Sequence, residues 1–422
     1  MKILVILHLK ILALNKGYQF HTLANGIRIV HRQVPGQVAH LGVIIKSGSR
    51  DELEKEWGVA HFIEHMVFKG TKTRKAFHVL ARMENVGGDL NAYTTKEETL
   101  FYASFLKTYY SRSAELLWDI IFNSVFNPKD MELEREVIIE EIKSYKDNPA
   151  ELAFDVFEDV LYEGHALGRN ILGSVASLKS LKRDDIFNFI HRTYNSDQIV
   201  ISSVGNISMQ RLVKILESTF GQVEASSRSF EREKYHNYKA RNHKIKSSIY
   251  QTNVVMGNIA YDMNDKKKDA FSLVNNLLGG PGMNTRLNIS IREKNGYAYA
   301  VESTYQPLSD TGYFSVYFAT DKNSVDKTME LSIKEFDKVK TQKLGTLQLS
   351  RAKKQFIGQL ALQAESNNND MIAVAKTYLY FDKVDSMIDV YKRIDSISAE
   401  EILEVSNEIL IPDNFTIVSI GK

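Results

Sequence analysis

The chain has 422 residues, which is longer than one compact domain usually is and predicts two domains of about 200 residues, each with its own core. Its 54 lysines and arginines nearly balance its 52 aspartates and glutamates, so the net charge of +2 gives no electrostatic case for a nucleic-acid partner. The absence of cysteine excludes disulfides, thiolate metal ligands and a cysteine nucleophile.

Residues 1–17 are interpreted as a separate N-terminal extension, because the apolar run from Met1 resembles the start of a signal sequence. His8 and Lys10 interrupt this run and no small-residue cleavage site follows, so a strand-forming extension and a misplaced start are alternatives. The run is too short and too interrupted to span a bilayer. We therefore expect a cytoplasmic protein without a membrane span, with export to the periplasm as the alternative.

The predicted elements mix strands and helices. Residues 18–34 alternate in strand fashion around Asn25-Gly26, a pair typical of hairpin turns. Further strands are expected at 40–46, 100–105 and 199–204, and amphipathic helices at 75–86, 109–125, 129–146, 150–162, 177–193 and 208–219. Because no regular βαβ alternation is present, we predict an α+β fold and not a doubly wound parallel sheet.

The helix expected after the second strand contains His61-Phe62-Ile63-Glu64-His65. Residues four apart share a helical face, so both imidazoles can approach one ion while Glu64 stays beside them. H-x-x-E-H is a metalloprotease signature, and a catalytic zinc ion needs neutral imidazoles, one further protein ligand and an open position. The alternative is a pair of partly buried histidines without a metal. The apolar flanks favour the metal, because these polar groups would otherwise be costly to bury.

A candidate third ligand is Glu141, in the acidic segment 131–143 that follows a plausible N-cap at Asp130. Glu141 lies beside the apolar stripe of this predicted helix and could reach a buried neighbour. By itself such a segment is more typical of a solvated acidic helix face than of a ligand helix.

The chain resembles the peptidase family that contains pitrilysin, insulin-degrading enzyme and the mitochondrial processing peptidase β subunit. Those proteins have an H-x-x-E-H motif followed by a glutamate ligand about 76 residues later, and 141 minus 65 is 76 in this chain. Further similar strings lie at residues 87–94, 278–286 and 292–299, and the resemblance covers nearly everything after residue 18.

The resemblance implies a zinc-dependent endopeptidase with one zinc ion per chain. His61, His65 and Glu141 would be the metal ligands, and Glu64 would be the general base. Glu134 would be the carboxylate that the family keeps two helical turns before the third ligand.

The family also uses an arginine and a tyrosine from the C-terminal domain, which Arg292 and Tyr299 match. Their alternative interpretation is a surface arginine and a core tyrosine. The chain departs from the family at Tyr297, where leucine is usual. Asn91 and Ala92 match the edge strand that pairs with the extended substrate, although turn residues before a strand would fit them equally well.

The resemblance further implies two homologous domains of mixed, largely antiparallel sheet flanked by helices, of the LuxS/MPP-like metallohydrolase type. We expect a zinc-binding catalytic domain at 18–222, a polar linker at 223–246 and a degenerate repeat at 247–422. Sliding the chain by 211 residues places His61, Glu64 and His65 on Ser272, Asn275 and Asn276, and a small insertion places Glu141 near Gln359.

Relatives enclose a peptide or unfolded polypeptide between two halves of two domains each, and this chain supplies one such half. We therefore expect a homodimer or a heterodimer with an inactive paralogue, with Arg292 and Tyr299 acting in trans. Two alternatives from other classes are a non-catalytic assembly subunit and a peptide-binding chaperone.

Overall fold

The computed structural model describes residues 17–422, so the expected N-terminal extension lies outside the described residues except for Gly17. These residues divide into two compact units. Unit 1 comprises the described residues up to Ile142 together with Arg169–Arg232 and Ala361–Asp389, and unit 2 comprises Lys143–Gly168, Glu233–Leu360 and Val390–Lys422. Within the described part of the chain, no helix combines the length and the apolar character needed to cross a bilayer.

The strands are β1 (Gln19–Thr22), β2 (Arg28–Gln33), β3 (Val38–Ile45), β4 (Asp89–Thr94), β5 (Thr99–Leu106), β6 (Ile199–Gly205), β7 (Asn242–Lys246), β8 (Thr252–Ile259), β9 (Ala298–Pro307), β10 (Gly312–Thr320) and β11 (Thr416–Gly421). The α-helices are α1 (Val59–Met66), α2 (Ala76–Glu84), α3 (Tyr110–Phe122), α4 (Pro128–Asp147), α5 (Pro149–Leu161), α6 (Val175–Ser180), α7 (Arg183–Thr193), α8 (Met209–Glu217), α9 (Lys268–Gly279), α10 (Val325–Thr341), α11 (Thr346–Ala364), α12 (Asn367–Phe381), α13 (Met387–Ser396) and α14 (Ala399–Ile409).

The sheet of unit 1 has the order β1-β2-β6-β3-β5-β4, and β2 with β6 is its one parallel pair. The expected hairpin forms between β1 and β2, where Gly26 adopts a left-handed φ of 92° that glycine tolerates without strain. Every residue of β6 is buried, which is typical of a central strand covered on both faces. One expected helix, 177–193, is two helices, because Leu181 and Lys182 adopt extended backbone between α6 and α7.

The sheet of unit 2 has the order β7-β11-β8-β10-β9, again with one parallel pair, β7 with β11. This is the order of β2-β6-β3-β5-β4, so unit 2 repeats the sheet of unit 1 without its first strand. The expected α+β class, with two domains of mixed and largely antiparallel sheet, is thereby confirmed. The repetition also supports the internal duplication inferred from the 211-residue shift.

The units do not coincide with the linear segments 18–222 and 247–422, because each sheet is covered by a helix from the other half of the chain. Helix α5 packs on β8 and β11 of unit 2, and α12 packs on β3 and β6 of unit 1. Burying both faces of each sheet removes more apolar surface from water than burying one. The expected linker 223–246 also needs correction, since β7 already begins at Asn242.

Candidate metal centre

Helix α1 has a fixed starting point. Its N-cap, Gly58, has a left-handed φ of 93°, and a Cβ there would lie 2.9 Å from Gly173 Cα and 2.9 Å from the Leu172 carbonyl oxygen. The Glu52 carboxylate accepts hydrogen bonds of 2.9 Å from the amides of Gly58 and Ala60, two of the donors that a helix N-terminus leaves without a partner. The first turn is therefore held by backbone contact and by a buried acid.

Glu52 is fully enclosed. Burial raises the pKa of its carboxyl to about 8, while the amides of Ala60 and Gly58 and the guanidinium of Arg169 oppose this shift. Arg169 also donates a 3.2 Å hydrogen bond to the Glu52 backbone oxygen. Glu52 thus joins α1 to the segment that contains Arg169.

The buried face of α1 holds the helix in unit 1. Phe62, Ile63 and Met66 are each completely buried, and His61 is nearly so. The two histidine rings lie 4.6 Å apart, centroid to centroid, as expected for residues one helical turn apart. Anchoring this apolar face directs the polar side chains toward α4.

Three side chains converge on one point. His61 Nε2 and His65 Nε2 lie 3.9 Å and 3.6 Å from the same oxygen, Glu141 Oε2, on α4. Ligand atoms of a tetrahedral zinc ion with bonds of about 2.0–2.1 Å are separated by roughly 3.3 Å, so a small inward movement would complete the site. Burial, together with repulsion from His65, lowers the pKa of His61 to about 3, so His61 carries the neutral imidazole that a metal binds. The donor set fits zinc.

The carboxylate of Glu134 orients the ring of His65. Its Nδ1 lies 3.1 Å from Glu134 Oε2, and the other carboxylate oxygen of Glu134 pairs with Lys69. A hydrogen bond from Nδ1 to the carboxylate leaves the lone pair on Nε2 for the metal. His61 Nδ1, in contrast, is buried without a hydrogen-bond partner among residues 17–422, so packing alone orients that ring.

Glu64 lies beside the three ligands and outside their set. Burial raises the pKa of its carboxyl, and the nearby Glu141 adds to this effect. The hydroxyl and amide of Thr94 and the ring of His65 act in the opposite direction, although the Thr94 hydroxyl completes no hydrogen bond of good geometry among the described residues. A half-buried carboxyl with a raised pKa is suited to accept a proton and return it near neutral pH.

Strand β4, which carries Asn91 and Ala92, lies at the edge of the unit 1 sheet. These residues pair with Tyr102 and Phe101 of β5, and within residues 17–422 no strand pairs with the other side of β4. The Asn91 side chain donates a 2.6 Å hydrogen bond to Asp89. Strand β4 also packs against α1, so an unpaired edge runs next to the helix of the metal centre.

Arg292 and Tyr299 lie in unit 2, on a short π-helix (Asn288–Glu293) and on β9. Tyr299 is 80% exposed, and the Arg292 guanidinium carbon lies 5.2 Å from the centroid of its ring. Tyr297 packs against the unit 2 core, so Tyr299 is the tyrosine that projects outward.

Comparison with known proteins agrees with this geometry. Residues 28–175 match the model of the insulinase family, peptidase family M16, and residues 180–356 match the M16 inactive domain. An uncharacterized zinc protease of Bacillus subtilis, YmxG, is 31% identical over 93% of this chain and 96% of its own length. The chain belongs to the M16 peptidase family.

Other M16 proteins extend the comparison. An uncharacterized zinc protease of Rickettsia felis is 31% identical over 94% of this chain and 96% of its own length. A solved structure described as a peptidase M16 inactive domain from Pseudomonas fluorescens superposes with a TM-score of 0.90 at 21% identity, covering 96% of this chain and 98% of that one. A protease from Helicobacter pylori gives 0.89 at 21% identity, covering 96% and 99%. Both structures share the fold of this chain.

The second M16 repeat lacks the ligand set. Ser272, Asn275 and Asn276, the residues aligned with the zinc motif, all lie on α9 of unit 2. Among residues 17–422, one group of three histidine, aspartate or glutamate side chains has its ligand atoms within 4.8 Å of one another. This group is His61, His65 and Glu141. The degenerate copy therefore retains a corresponding helix without its metal-binding chemistry.

Sequence reasoning missed Glu52, Lys69 and Thr94. Lys69 lies four residues after His65, so the same helical spacing that indicated the ligands could have indicated it. Glu52 and Thr94 belong to separate segments that only the fold brings to α1, and no local pattern marks them.

Proposed function

We propose that this protein is a zinc-dependent endopeptidase that hydrolyses peptides or extended polypeptide segments. The observation that carries the proposal is the convergence of His61, His65 and Glu141 with the half-buried carboxyl of Glu64 beside them. The relatives from Bacillus subtilis and Rickettsia felis are named as uncharacterized zinc proteases, which supports the same proposal.

Each residue would have a separate task. Zinc bound by the three ligands would supply a Lewis acid for the scissile carbonyl and acidify the attacking water. Glu64 would take the proton of that water and later deliver it to the leaving amine. By resemblance, Tyr299 would donate a hydrogen bond to the oxyanion, and Arg292, which stacks on its ring, would hold that tyrosine or a substrate carbonyl.

Strand β4 would hold the substrate. An extended peptide added to its unpaired edge would make backbone hydrogen bonds at the level of Asn91 and Ala92. Such pairing reads the conformation of the peptide backbone with little regard to side-chain identity, which favours unfolded or flexible substrates.

The test is cleavage of a mixed fluorogenic peptide pool by the zinc-loaded protein, with products identified by mass spectrometry. We expect wild-type cleavage to stop with a chelator and return with zinc, and Glu64→Gln to retain zinc while losing about 10²-fold to 10⁴-fold in rate. Glu54→Gln, at an exposed glutamate before α1, is the matched control and should cleave normally.

Two results would contradict the proposal. Peptide binding without cleavage by the zinc-loaded wild type would identify a chaperone or an assembly subunit. Wild-type turnover by Glu64→Gln would remove the general base from the mechanism.

A further inference from the structure

A polar cavity lies in unit 1, separate from the metal centre. It has a volume of about 400 Å³ and is formed by the end of β1, the start of β2, the residue after β3 and the end of α12. Its charged lining residues are Arg28, Lys46, Asp197 and Asp382. It shares no lining residue with the metal ligands, with Glu64 or with β4.

Lys46 is the charged group of this cavity whose ammonium has no polar partner. Within residues 17–422 its Nζ makes no hydrogen bond and no ion pair, and it lies over the Tyr380 ring, 5.3 Å from the centroid. Both carboxylates of the lining are already engaged. Asp382 pairs with Arg28, and Asp197 accepts two 3.3 Å contacts from the backbone amide of Arg228.

Further cations surround Lys46. The guanidinium groups of Arg228 and Arg232 both donate to its backbone oxygen. Burial, followed by repulsion from Arg232 and Arg228, lowers the pKa of the Lys46 ammonium. Arg232 is neutralised by Asp51 at 2.8 Å and by Glu97 at 3.3 Å, and Glu97 also attracts the Lys46 ammonium, although it forms no ion pair with it. Repulsion from these guanidinium groups disfavours the charged form of a half-buried lysine, and an anion bound at the ammonium would offset that repulsion.

Neutral donors complete the arrangement. The hydroxyl of Thr22 and the carboxamide of Gln198 also line the cavity, and neither makes a hydrogen bond with another described residue. The Lys46 ammonium, the Gln198 carboxamide and the hydroxyl of the exposed Thr22 therefore border the same space without a hydrogen bond to another described residue. The volume greatly exceeds the roughly 30 Å³ of a water molecule, so a phosphate-sized group can enter.

We propose that this cavity binds a small oxyanion, of the phosphate or carboxylate type, through the Lys46 ammonium with Thr22 and Gln198 as neutral donors. Arg28 contributes positive charge from the wall while it remains paired with Asp382. The site does not depend on the peptidase chemistry, because none of its residues belongs to the metal centre.

The test is isothermal titration of the zinc-loaded full chain with inorganic phosphate, with sodium chloride at matched ionic strength as the blank. Loss of a charge-assisted hydrogen bond weakens binding by about tenfold or more. We therefore expect Lys46→Met to lose at least that factor, and Lys46→Arg, which keeps the charge, to bind. Lys383→Met is the matched control, since Lys383 is exposed and lies one residue beyond the cavity residue Asp382, and it should bind as the wild type does.

Acetate is titrated in the same way, to distinguish a phosphate site from a carboxylate site. Binding of either anion that is tighter in the wild type than in Lys46→Met supports the site. Gln198→Ala provides a second variant, expected to weaken binding several-fold, and it decides the question if Lys46→Met does not fold. Phosphate and acetate binding that is absent from the wild type, or equal in the wild type, Lys46→Met and Gln198→Ala, overturns the proposal. Equal binding would place the anion at zinc or on the general surface.

Discussion

His65 is the ligand whose orientation is determined by a continuous series of contacts. Lys69 pairs with Glu134, and Glu134 in turn accepts from His65 Nδ1. The ion pair with Lys69 holds the Glu134 carboxylate in place, and the carboxylate fixes the imidazole with Nε2 toward Glu141. These contacts determine both the tautomer and the direction of the ring.

Glu134→Gln should therefore weaken zinc binding by about 10-fold to 100-fold, the usual effect of losing a carboxylate behind a metal-bound histidine. Competition with a chromophoric chelator measures the affinity. Glu136→Gln, on the exposed side of the same helix, is the control and should bind zinc as the wild type does. Equal affinities in all three proteins would show that Glu134 does not act on the metal.

Glu52 predicts a pH dependence of stability. Its folded pKa of about 8 exceeds its ordinary value, so between these values the folded chain holds a proton that the unfolded chain has released. The free energy of unfolding must then fall as the pH rises through this window. Relative to Glu52→Gln, which cannot titrate, the wild type should lose about 1 kcal/mol or more between about pH 5 and pH 8.

Urea unfolding of the metal-free protein measures this difference, because zinc binding itself depends on pH. Glu54→Gln leaves the buried acid in place and should retain the wild-type pH dependence. A constant difference between the wild type and Glu52→Gln across the range would show that Glu52 has no raised pKa.

At the scale of elements, the metal centre depends on where α1 begins. Gly58 and Gly173 meet with no space for a side chain at either position, and this contact sets the N-cap of α1 three residues before His61. The same contact gives a physical reason for Gly173, a residue far from the motif in sequence. The positions of His61 and His65 therefore depend on two glycines from different segments.

Gly58→Ala should destabilise the fold by about 2–4 kcal/mol, since the substitution combines a left-handed φ with a backbone clash. Gly87→Ala is the matched control, because Gly87 has a left-handed φ of 70° and open space around its Cβ position, and it should cost about 1 kcal/mol. Denaturant unfolding of the two variants measures the difference. Equal losses would mean that the contact with Gly173 contributes nothing.

For the whole molecule, the sequence predicted strands of the first sheet and the helices of the first half of the chain, because their apolar periodicity is local. It could not predict that α5 packs on the sheet of unit 2 and α12 on the sheet of unit 1. The apolar residues of α12, such as Val374 and Ala375, pack with Val30 and Val200 of the first sheet, but their spacing specifies only an apolar helix face. Which sheet that face covers depends on the path of the chain over hundreds of residues.

The metal centre, too, could be predicted only in part. His61, Glu64 and His65 could be identified from their spacing on one helical turn. Glu141 required the resemblance, because an acidic helix has no local mark that separates a ligand from a solvated residue. Thr94 could not be predicted, since its contact with Glu64 depends on the packing of β4 against α1.

The proposed dimer makes a further prediction. If Arg292 and Tyr299 act on the zinc centre of a second subunit, mixing Glu64→Gln chains with Tyr299→Phe chains should restore part of the activity that each lacks. Size-exclusion chromatography with light scattering would verify that mixed dimers form. Mixed dimers without restored activity would exclude action in trans.

The most direct test of the account is the zinc content of the purified protein by inductively coupled plasma mass spectrometry. We expect one zinc ion per chain in the wild type and in Glu136→Gln, and almost none in His65→Ala and Glu141→Gln. Folded variants at His65 and Glu141 that retain the wild-type zinc content, or a wild type with two zinc ions per chain, would contradict a single centre built from His61, His65 and Glu141.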